Sequence, residues 1–142
     1  MDIKQISVIL DNVPGALTKL LDILDKEDIK TKAVSAASTE ESSTLRLVVN
    51  DTHRAVTTLR SFNFNIKVVP VIAVEVPTHP GGMNAIVKPL ADGDVNIHYI
   101  YTTIERIGKE TILIIGCDPI ERAIEILRQQ WVNFVGDEIY SL

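Results

Sequence analysis

Cysteine is nearly absent from this sequence, in which Cys117 is the single thiol among 142 residues. One cysteine cannot form an internal disulfide or a cysteine-based zinc site, so we expect neither. The N-terminal stretch begins with Asp2 and reaches Asp11 before an apolar segment of useful length accumulates, which argues against a secretory signal. Together these features lead us to expect a cytoplasmic protein that folds under reducing conditions.

Basic residues and long apolar runs are also scarce. Fourteen Lys and Arg stand against nineteen Asp and Glu, and the net charge of −5 is the wrong sign for a chain that neutralises phosphates or anionic lipids. The longest apolar runs, near residues 68–76 and 112–115, are far shorter than the ~20 residues that cross a bilayer. We therefore expect no nucleic acid and no membrane among the partners.

Motifs of catalysis and metal binding are missing as well. The sequence contains no phosphate-binding glycine-rich loop and no nucleophile elbow. His79 and His98 have no carboxylate or thiolate partner at metal-ligand spacing, so His79 is interpreted as a loop residue that contacts a ligand. Cys117 ends an apolar strand and is expected to be a buried, inert thiol. The sequence thus predicts no catalytic residues, no metal and no cofactor.

What is present is an internal repeat. Pro14-Gly15 matches Pro80-Gly81, and an apolar stripe follows both turns. The stripe consists of Leu17, Leu20, Leu21 and Leu24 in the first copy and of Met83, Ile86, Val87 and Leu90 in the second. Its i, i+3, i+4, i+7 spacing predicts an amphipathic helix in each copy. Pro89 interrupts the second of these helices and is expected to bend or end its last turn.

Each copy predicts the element order βαββαβ, which gives an α+β chain of two ferredoxin-like units, 1–70 and 71–142. Each unit has an antiparallel sheet with its helices on one face, and residues 66–69 and 132–139 are expected to form the closing strands. Units of this size bury little surface alone, and the second strand of each lies at a sheet edge. We therefore expect a continuous sheet, formed within the chain, between chains, or both.

Smaller signals place helix starts and aromatic side chains. Asp51 and Asp118 stand where a helix N-cap is wanted, and Pro119 follows at the first helical position. The aromatic residues at the junctions of helices and closing strands are expected to fill core space. They are Phe62, Phe64, Trp131 and Phe134. Tyr99 and Tyr101 alternate along a predicted edge strand, where they either line a pocket between units or pack.

The strand-to-helix loops carry a family resemblance. They read Asp-Asn-Val-Pro-Gly-Ala-Leu at residues 11–17 and Thr-His-Pro-Gly-Gly-Met at residues 78–83. Both resemble the corresponding loop of ACT domains, which are small regulatory modules that bind amino acids, and Asp-Val-Asn-Ile at residues 94–97 resembles the start of the family's second strand. The likeness covers nearly the whole chain twice. It implies a tandem, non-catalytic amino-acid sensor that forms a homodimer and acts on a regulated enzyme.

The chemistry of these loops suits an amino acid. A helix N-terminus offers free N–H groups and partial positive charge to a carboxylate, and glycine lets a ligand approach the backbone. Family members hold the ligand between paired domains, with the loop of one against the edge strand of the other. The resemblance therefore implies a ligand site built from Asn12, Val13, Pro14, Gly15, Ala16, Leu17, His79, Pro80, Gly81, Gly82, Met83, Asn84, Asn96 and Ile97.

In that arrangement, residues 12–17 face Asn96 and Ile97, and residues 78–84 face residues 30–32. Lys30 stands where the second copy has Asn96, so the two sites need not be equivalent.

Other interpretations stay open at this point. Pro-Gly at a strand-to-helix corner is also ordinary turn chemistry, with Leu17 and Met83 filling the core. A regulatory subunit resembling the small subunit of acetolactate synthase is the second candidate, and an apolar or charged patch outside the loops would favour it. An enzyme is the third, because a fold does not fix a function.

Overall fold

The computed structural model describes residues 2–108 and 110–142. The first half of the chain forms β1 (Ile3–Asp11), α1 (Ala16–Lys26), β2 (Thr31–Ser38), β3 (Ser42–Val49), α2 (Thr52–Ser61) and β4 (Asn65–Val76). The second half forms α3 (Gly82–Asp92), β5 (Asn96–Thr102), β6 (Thr111–Asp118), α4 (Ile120–Gln129) and a C-terminal 3-10 helix (Asp137–Ser141). Within these described residues, none of the helices is long and apolar enough to cross a membrane.

The strands form one antiparallel sheet of six strands in the order β2-β3-β1-β4-β6-β5. β4 is 12 residues long and serves both units, because its first part pairs with β1 up to Val71 and its second part pairs with β6 from Ile72 onward. This arrangement confirms the α+β class and the two βαββαβ units. It also shows a continuous sheet within the chain, and the expected boundary at residues 70 and 71 falls inside β4.

The two ends of the sheet approach each other. Ala33 on β2 forms an antiparallel bridge with Thr103, and the Ile104 N–H donates to the Lys32 carbonyl at 2.9 Å. We call this contact the β2–β5 seam. Because the ends of the sheet meet there, the sheet faces that carry no helices turn toward each other, with β4 at the middle of the strand order.

Three apolar clusters hold this architecture together. One lies under α1 and α2, and a second lies under α3 and α4. The third, which we call the interface core, lies between the helix-free faces of the two units. It contains Ile3, Ala33, Val48, Val71, Ala73, Ile112, Ile114, Val135 and Ile139. Because both faces of β6 are therefore buried, that strand reads as a continuous apolar run rather than an alternation.

The repeated apolar stripe behaves the same way in both copies. Leu20 and Leu24 of α1 are buried, as are Ile86 and Leu90 of α3. The first position of each stripe is not, because Leu17 is 39% exposed and Met83 is 43% exposed. The side chains of Leu17 and Met83, which directly follow the strand-to-helix loops, therefore do not fill the core.

The helix ends confirm one cap prediction and correct two others. The Asp51 carboxylate accepts a hydrogen bond from the Arg54 N–H at 3.1 Å and caps α2 as expected. Asp118 does not cap α4, because it is held in β6 opposite Asn96, and α4 begins only at Ile120. Pro119 is therefore the N-cap residue of α4 and not its first helical residue. Pro89 was expected to bend or end the last turn of α3, and the helix continues past it to Asp92.

The second closing strand is much shorter than the predicted 132–139. The Glu75 N–H donates to the Asn133 carbonyl at 2.9 Å, and the Val135 N–H donates to the Ala73 carbonyl at 2.8 Å. Beyond Gly136 the chain leaves β4 and forms the 3-10 helix. The reason is burial, because Val135 and Ile139 have to reach the interface core.

Two aromatic predictions are wrong. Trp131 is 92% exposed, and Phe62 also lies on the surface. Phe64, by contrast, is partly buried against the apolar cluster under α1 and α2, and Phe134 against the cluster under α3 and α4; we call these two the helix-side clusters.

Candidate functional site

The two strand-to-helix loops end on the same backbone conformation. Gly15 precedes α1 with φ of 86°, and Gly81 precedes α3 with φ of 89°. This left-handed region costs glycine nothing, whereas other residues are strained there. Neither helix start receives a hydrogen bond from a capping side chain. The Ala16 and Gly82 N–H groups already donate to the Val13 and His79 carbonyls, so the donors that the two starts offer to a ligand carboxylate are the next N–H groups of each first turn.

Gly82 has a different role from these two glycines. A Cβ atom built on Gly82 would overlap the carbonyl oxygen of Pro77, and Gly82 is buried. A Cβ atom on Gly15 or Gly81 would meet nothing within 4 Å. The small size of Gly82 is therefore explained by packing inside the chain, while the other two glycines are explained by their backbone angles.

The β2–β3 turn closes one side of the first loop. The Asn12 side-chain amide donates to the Thr39 carbonyl at 3.0 Å, and the Asn12 N–H donates to the Glu41 carbonyl at 3.4 Å. A cavity of about 510 Å³ opens beside the loop. It is lined by Ile9, Leu10, Asp11, Val13, Pro14, Gly15, Ala16, Lys19, Asn63, Phe64 and Asn65.

Sequence reasoning missed the polar residues of this cavity. Asp11 and Lys19 precede and follow Gly15 in the sequence, and this pair of opposite charges around the glycine could have indicated that they belong to the site. Asn63 and Asn65 come from the distant α2–β4 turn, for which the sequence around the loop holds no signal. The carboxylate and ammonium groups of Asp11 and Lys19 complement the two charges of a free amino acid.

The second loop has a different neighbour. The β5–β6 turn bonds to β2 instead of covering the loop, through the Ile104–Lys32 hydrogen bond and a 3.2 Å ion pair between Lys30 and Glu105. A cavity of about 290 Å³ lies beside this loop. It is lined by Val76, Pro77, Thr78, His79, Met83, Thr111 and Leu113. This lining is largely apolar, so the two loops are not chemically equivalent.

Several predicted site residues lie apart from these two cavities. Asn96 is exposed and pairs with Asp118 in the sheet, while Ile97 packs partly against the second helix-side core. Asn84 lines a surface groove of about 690 Å³ between α3 and α4, together with Gly81. The residues lining the loop cavities all come from the loop's own unit. The implied contact between each loop and the opposite edge strand stays a prediction.

The histidines and the cysteine occupy separate environments. His79 is exposed, with Nδ1 2.8 Å from the Pro80 carbonyl, and His98 is exposed on β5. Across residues 2–108 and 110–142, no cluster of His, Cys, Asp or Glu has a geometry that could hold a metal ion. Burial, reinforced by the neighbouring Asp118, raises the pKa of the half-buried Cys117 thiol to about 11.

Cys117 is accordingly expected to resist alkylation. Near pH 8, a thiol with a pKa of about 11 holds ~100-fold less thiolate than one with its ordinary value of 9.0. Iodoacetamide labelling of the folded protein, followed by mass spectrometry, should be slower by about this factor than labelling of the same chain in urea. The labelling rate of the folded protein should rise steadily toward pH 11. Equal labelling rates in the folded and unfolded chains would show that the thiol is accessible and unperturbed.

The fold and its paired loops define a class of protein. The family described as the ACT domain pair matches residues 1–141, and the chain belongs to this family. A crystal structure of a protein from Bacteroides thetaiotaomicron is similar to it with a TM-score of 0.91 and 26% identity, over 100% of this chain and 98% of that one. No curated protein matches the sequence.

The same fold occurs in regulatory subunits of aspartate kinase. The ligand-free subunit from Thermus thermophilus is similar with a TM-score of 0.61 and 17% identity, over 92% of this chain and 93% of that one. The subunit from Thermus flavus has a TM-score of 0.60 and 16% identity, over 92% and 94% of the two chains. At these identities the likeness concerns the fold alone.

Proposed function

We propose that this protein is a non-catalytic regulatory sensor that binds an amino acid at its strand-to-helix loops. The observation that carries the proposal is the pair of loops that end on Gly15 and Gly81. Each presents an uncapped helix start for a carboxylate and an exposed apolar side chain, Leu17 or Met83, for the ligand's side chain. A site that combines a few oriented polar groups with apolar surface is the usual form of a small-molecule site.

The ligand lies between ACT units of two chains in this proposal. Within one chain the β2 residues beside the seam are already engaged, because Lys30 pairs with Glu105 and the Lys32 carbonyl accepts from Ile104. A second copy supplies the edge strand that each loop needs through the parts of β2 and β5 that lie outside its own β2–β5 seam, so the sensor acts as a homodimer. Ligand binding regulates it only if the two arrangements of the dimer have different affinities for the amino acid.

Thermal unfolding of the purified chain against each of the twenty amino acids tests the proposal. A ligand that binds only the folded state raises the melting temperature. At a ligand concentration 100 times the Kd, the free energy of unfolding increases by ~2.7 kcal/mol. We expect one amino acid, or a small group of chemically related ones, to raise it at millimolar concentration. The proposal fails if none of the twenty does.

A dedicated regulatory subunit of an amino-acid biosynthetic enzyme is the second candidate, and Trp131 favours it. This residue is 92% exposed and has a left-handed backbone angle, with φ of 60°. The equivalent residue after the second helix of the first unit is Asn63, which has a similar left-handed angle. Asparagine tolerates that angle, whereas tryptophan is strained there and gains little packing in exchange. Exposed tryptophans are enriched among residues that anchor protein interfaces.

Replacing Trp131 with asparagine should therefore stabilise the isolated chain. We expect a gain of roughly 0.5–1 kcal/mol, because asparagine accepts the left-handed angle that the loop imposes. Urea denaturation of both proteins measures the difference. A loss of stability in Trp131→Asn would mean that the indole contributes to the fold, and the argument for an external partner would lose its basis.

A further inference from the structure

We propose that a buried hydrogen-bond cluster around Gln5 is a lock that holds the β2–β5 seam closed, and that the two units open at this seam with β4 as the hinge. The cluster joins Gln5 and Ser7 of β1 to Tyr99 and Tyr101 of β5. This device is separate from amino-acid binding and is tested without any ligand.

Gln5 is the centre of the cluster. It is 0% exposed, and its side chain makes three hydrogen bonds. The Tyr101 hydroxyl donates to Gln5 Oε1 at 2.6 Å, while Gln5 Nε2 donates to the Tyr99 hydroxyl at 2.9 Å and to Ser7 Oγ at 3.0 Å. Because burial raises the pKa of Tyr101 above its ordinary value, this hydroxyl keeps its proton and remains a donor.

The Tyr99 ring, at the edge of the cluster, contacts residues of both units. The Arg46 guanidinium lies 3.9 Å from the centroid of the Tyr99 ring. A Cβ atom on Gly116 would overlap the same ring, so the Tyr99 ring lies directly against the backbone of β6. Arg46 belongs to the first unit and Gly116 to the second. The ring is therefore held between the two units, and a sliding movement of either would break its contacts.

The topology shows where the units can separate. β4 runs unbroken through both units and stands in the middle of the strand order, whereas β2 and β5 stand at its two ends. The seam itself is weak, because among the described residues it consists of one backbone bridge, which includes the Ile104–Lys32 hydrogen bond, and of the exposed ion pair between Lys30 and Glu105. Exposed ion pairs contribute little stability. The buried cluster supplies the specific interaction that the seam lacks.

Opening at the seam has a structural consequence. It would free the edges of β2 and β5, and free strand edges are the surfaces by which sheets of different chains pair. The interface core on the β4 side stays packed during such a movement, because Val71 and Ala73 lie on the hinge strand itself.

Hydrogen exchange of Tyr101→Phe tests the lock. Removing this hydroxyl leaves Gln5 Oε1 buried without its donor, and water reaches that oxygen when the seam opens. We expect about tenfold faster exchange at the Ile104 amide and in β5 than in the unmodified protein. Tyr140→Phe is the matched control, because its hydroxyl also joins the second unit to β1, by accepting a hydrogen bond from the Lys4 N–H at 2.9 Å, but takes no part in the Gln5 cluster.

A disulfide across the seam provides the second arm. The bridge partners Ala33 and Thr103 are replaced by cysteines, since paired residues of antiparallel strands lie within disulfide reach. Cys117 competes poorly because of its raised pKa. The oxidised form of Ala33→Cys/Thr103→Cys/Tyr101→Phe should return the exchange in β5 to its original rate, and its reduced form should not.

Three results would overturn the proposal. The first is an increase in Tyr101→Phe no larger than that in Tyr140→Phe. The second is an equal increase along the β1–β4 ladder, which would indicate global destabilisation instead of opening. The third is fast exchange that persists in the oxidised disulfide protein.

Discussion

Gly116→Ala should destabilise the protein by about 3 kcal/mol, which is large for the addition of one methyl group. The new methyl group would overlap the Tyr99 ring, which is held in place by the Arg46 guanidinium 3.9 Å from its centroid and by the hydrogen bond from Gln5 to its hydroxyl. One of the two units must then shift against the other, at the cost of the hydrogen bonds around Gln5. Urea denaturation, with the free energy extrapolated to water, measures the loss.

A double-mutant cycle shows whether the Tyr99 ring is responsible. In a Tyr99→Leu background the ring is gone, and Gly116→Ala should then cost less than 1 kcal/mol. The same cost of Gly116→Ala in both backgrounds would place the clash elsewhere and would contradict the description of this contact.

Gly82→Ala should cost about 3 kcal/mol, while Gly81→Ala one residue earlier should cost about 1–2 kcal/mol. The Cβ atom on Gly82 would overlap a backbone carbonyl, that of Pro77, which cannot rotate away as a side chain can. At Gly81 there is open space, and only the left-handed backbone angle opposes alanine. Thermal and urea unfolding of both variants measure the two costs.

The comparison separates a fold requirement from a ligand requirement. Gly82 was predicted from the sequence as a ligand contact. Its proximity to the Pro77 carbonyl explains why the fold requires glycine at this position, without reference to a ligand. If Gly82→Ala were as stable as Gly81→Ala, the loop would be more plastic than the structure shows, and a ligand role for Gly82 would regain support.

Local spacing predicted most of the fold. The apolar stripes of α1 and α3 repeat at helical intervals, and those intervals depend only on residues that lie close together in the chain. The shared β4 also had a signal, because the closing strand of the first unit runs without a linker into the next strand. The apolar run at residues 112–115 carried a further signal, since a strand with both faces buried does not alternate.

Tertiary contacts decided what the sequence did not predict. Asp118 has a good capping side chain, yet pairing with Asn96 keeps it in the sheet. Residues 137–139 read as strand but turn away from β4 because Ile139 fills the interface core. Trp131 was expected in the core because it stands at the junction of a helix and a closing strand, and the left-handed end of α4 leaves it exposed instead.

The candidate site was only partly accessible from the sequence for the same reason. Gly15 and Gly81, which directly precede α1 and α3, belong to a local sequence motif, and the sequence was sufficient to single them out. The cavity beside the first loop also uses Asn63 and Asn65, which reach it only through the fold. The different surroundings of the two loops likewise depend on the β5–β6 turn, which bonds to β2 of the other unit.

Calorimetric titration with the amino acid that most raises the melting temperature tests the central claim most directly. It should be carried out on the unmodified protein, on Leu17→Glu and Met83→Glu, and on the matched controls Leu17→Gln and Met83→Gln. A carboxylate at a helix N-terminus is compatible with the fold, but it repels the ligand carboxylate from the same N–H groups. We predict at least tenfold weaker binding in one or both glutamate variants than in the corresponding glutamine variants, which lose only the apolar contact and keep a neutral side chain. Unchanged affinity in both glutamate variants would contradict amino-acid binding at these loops.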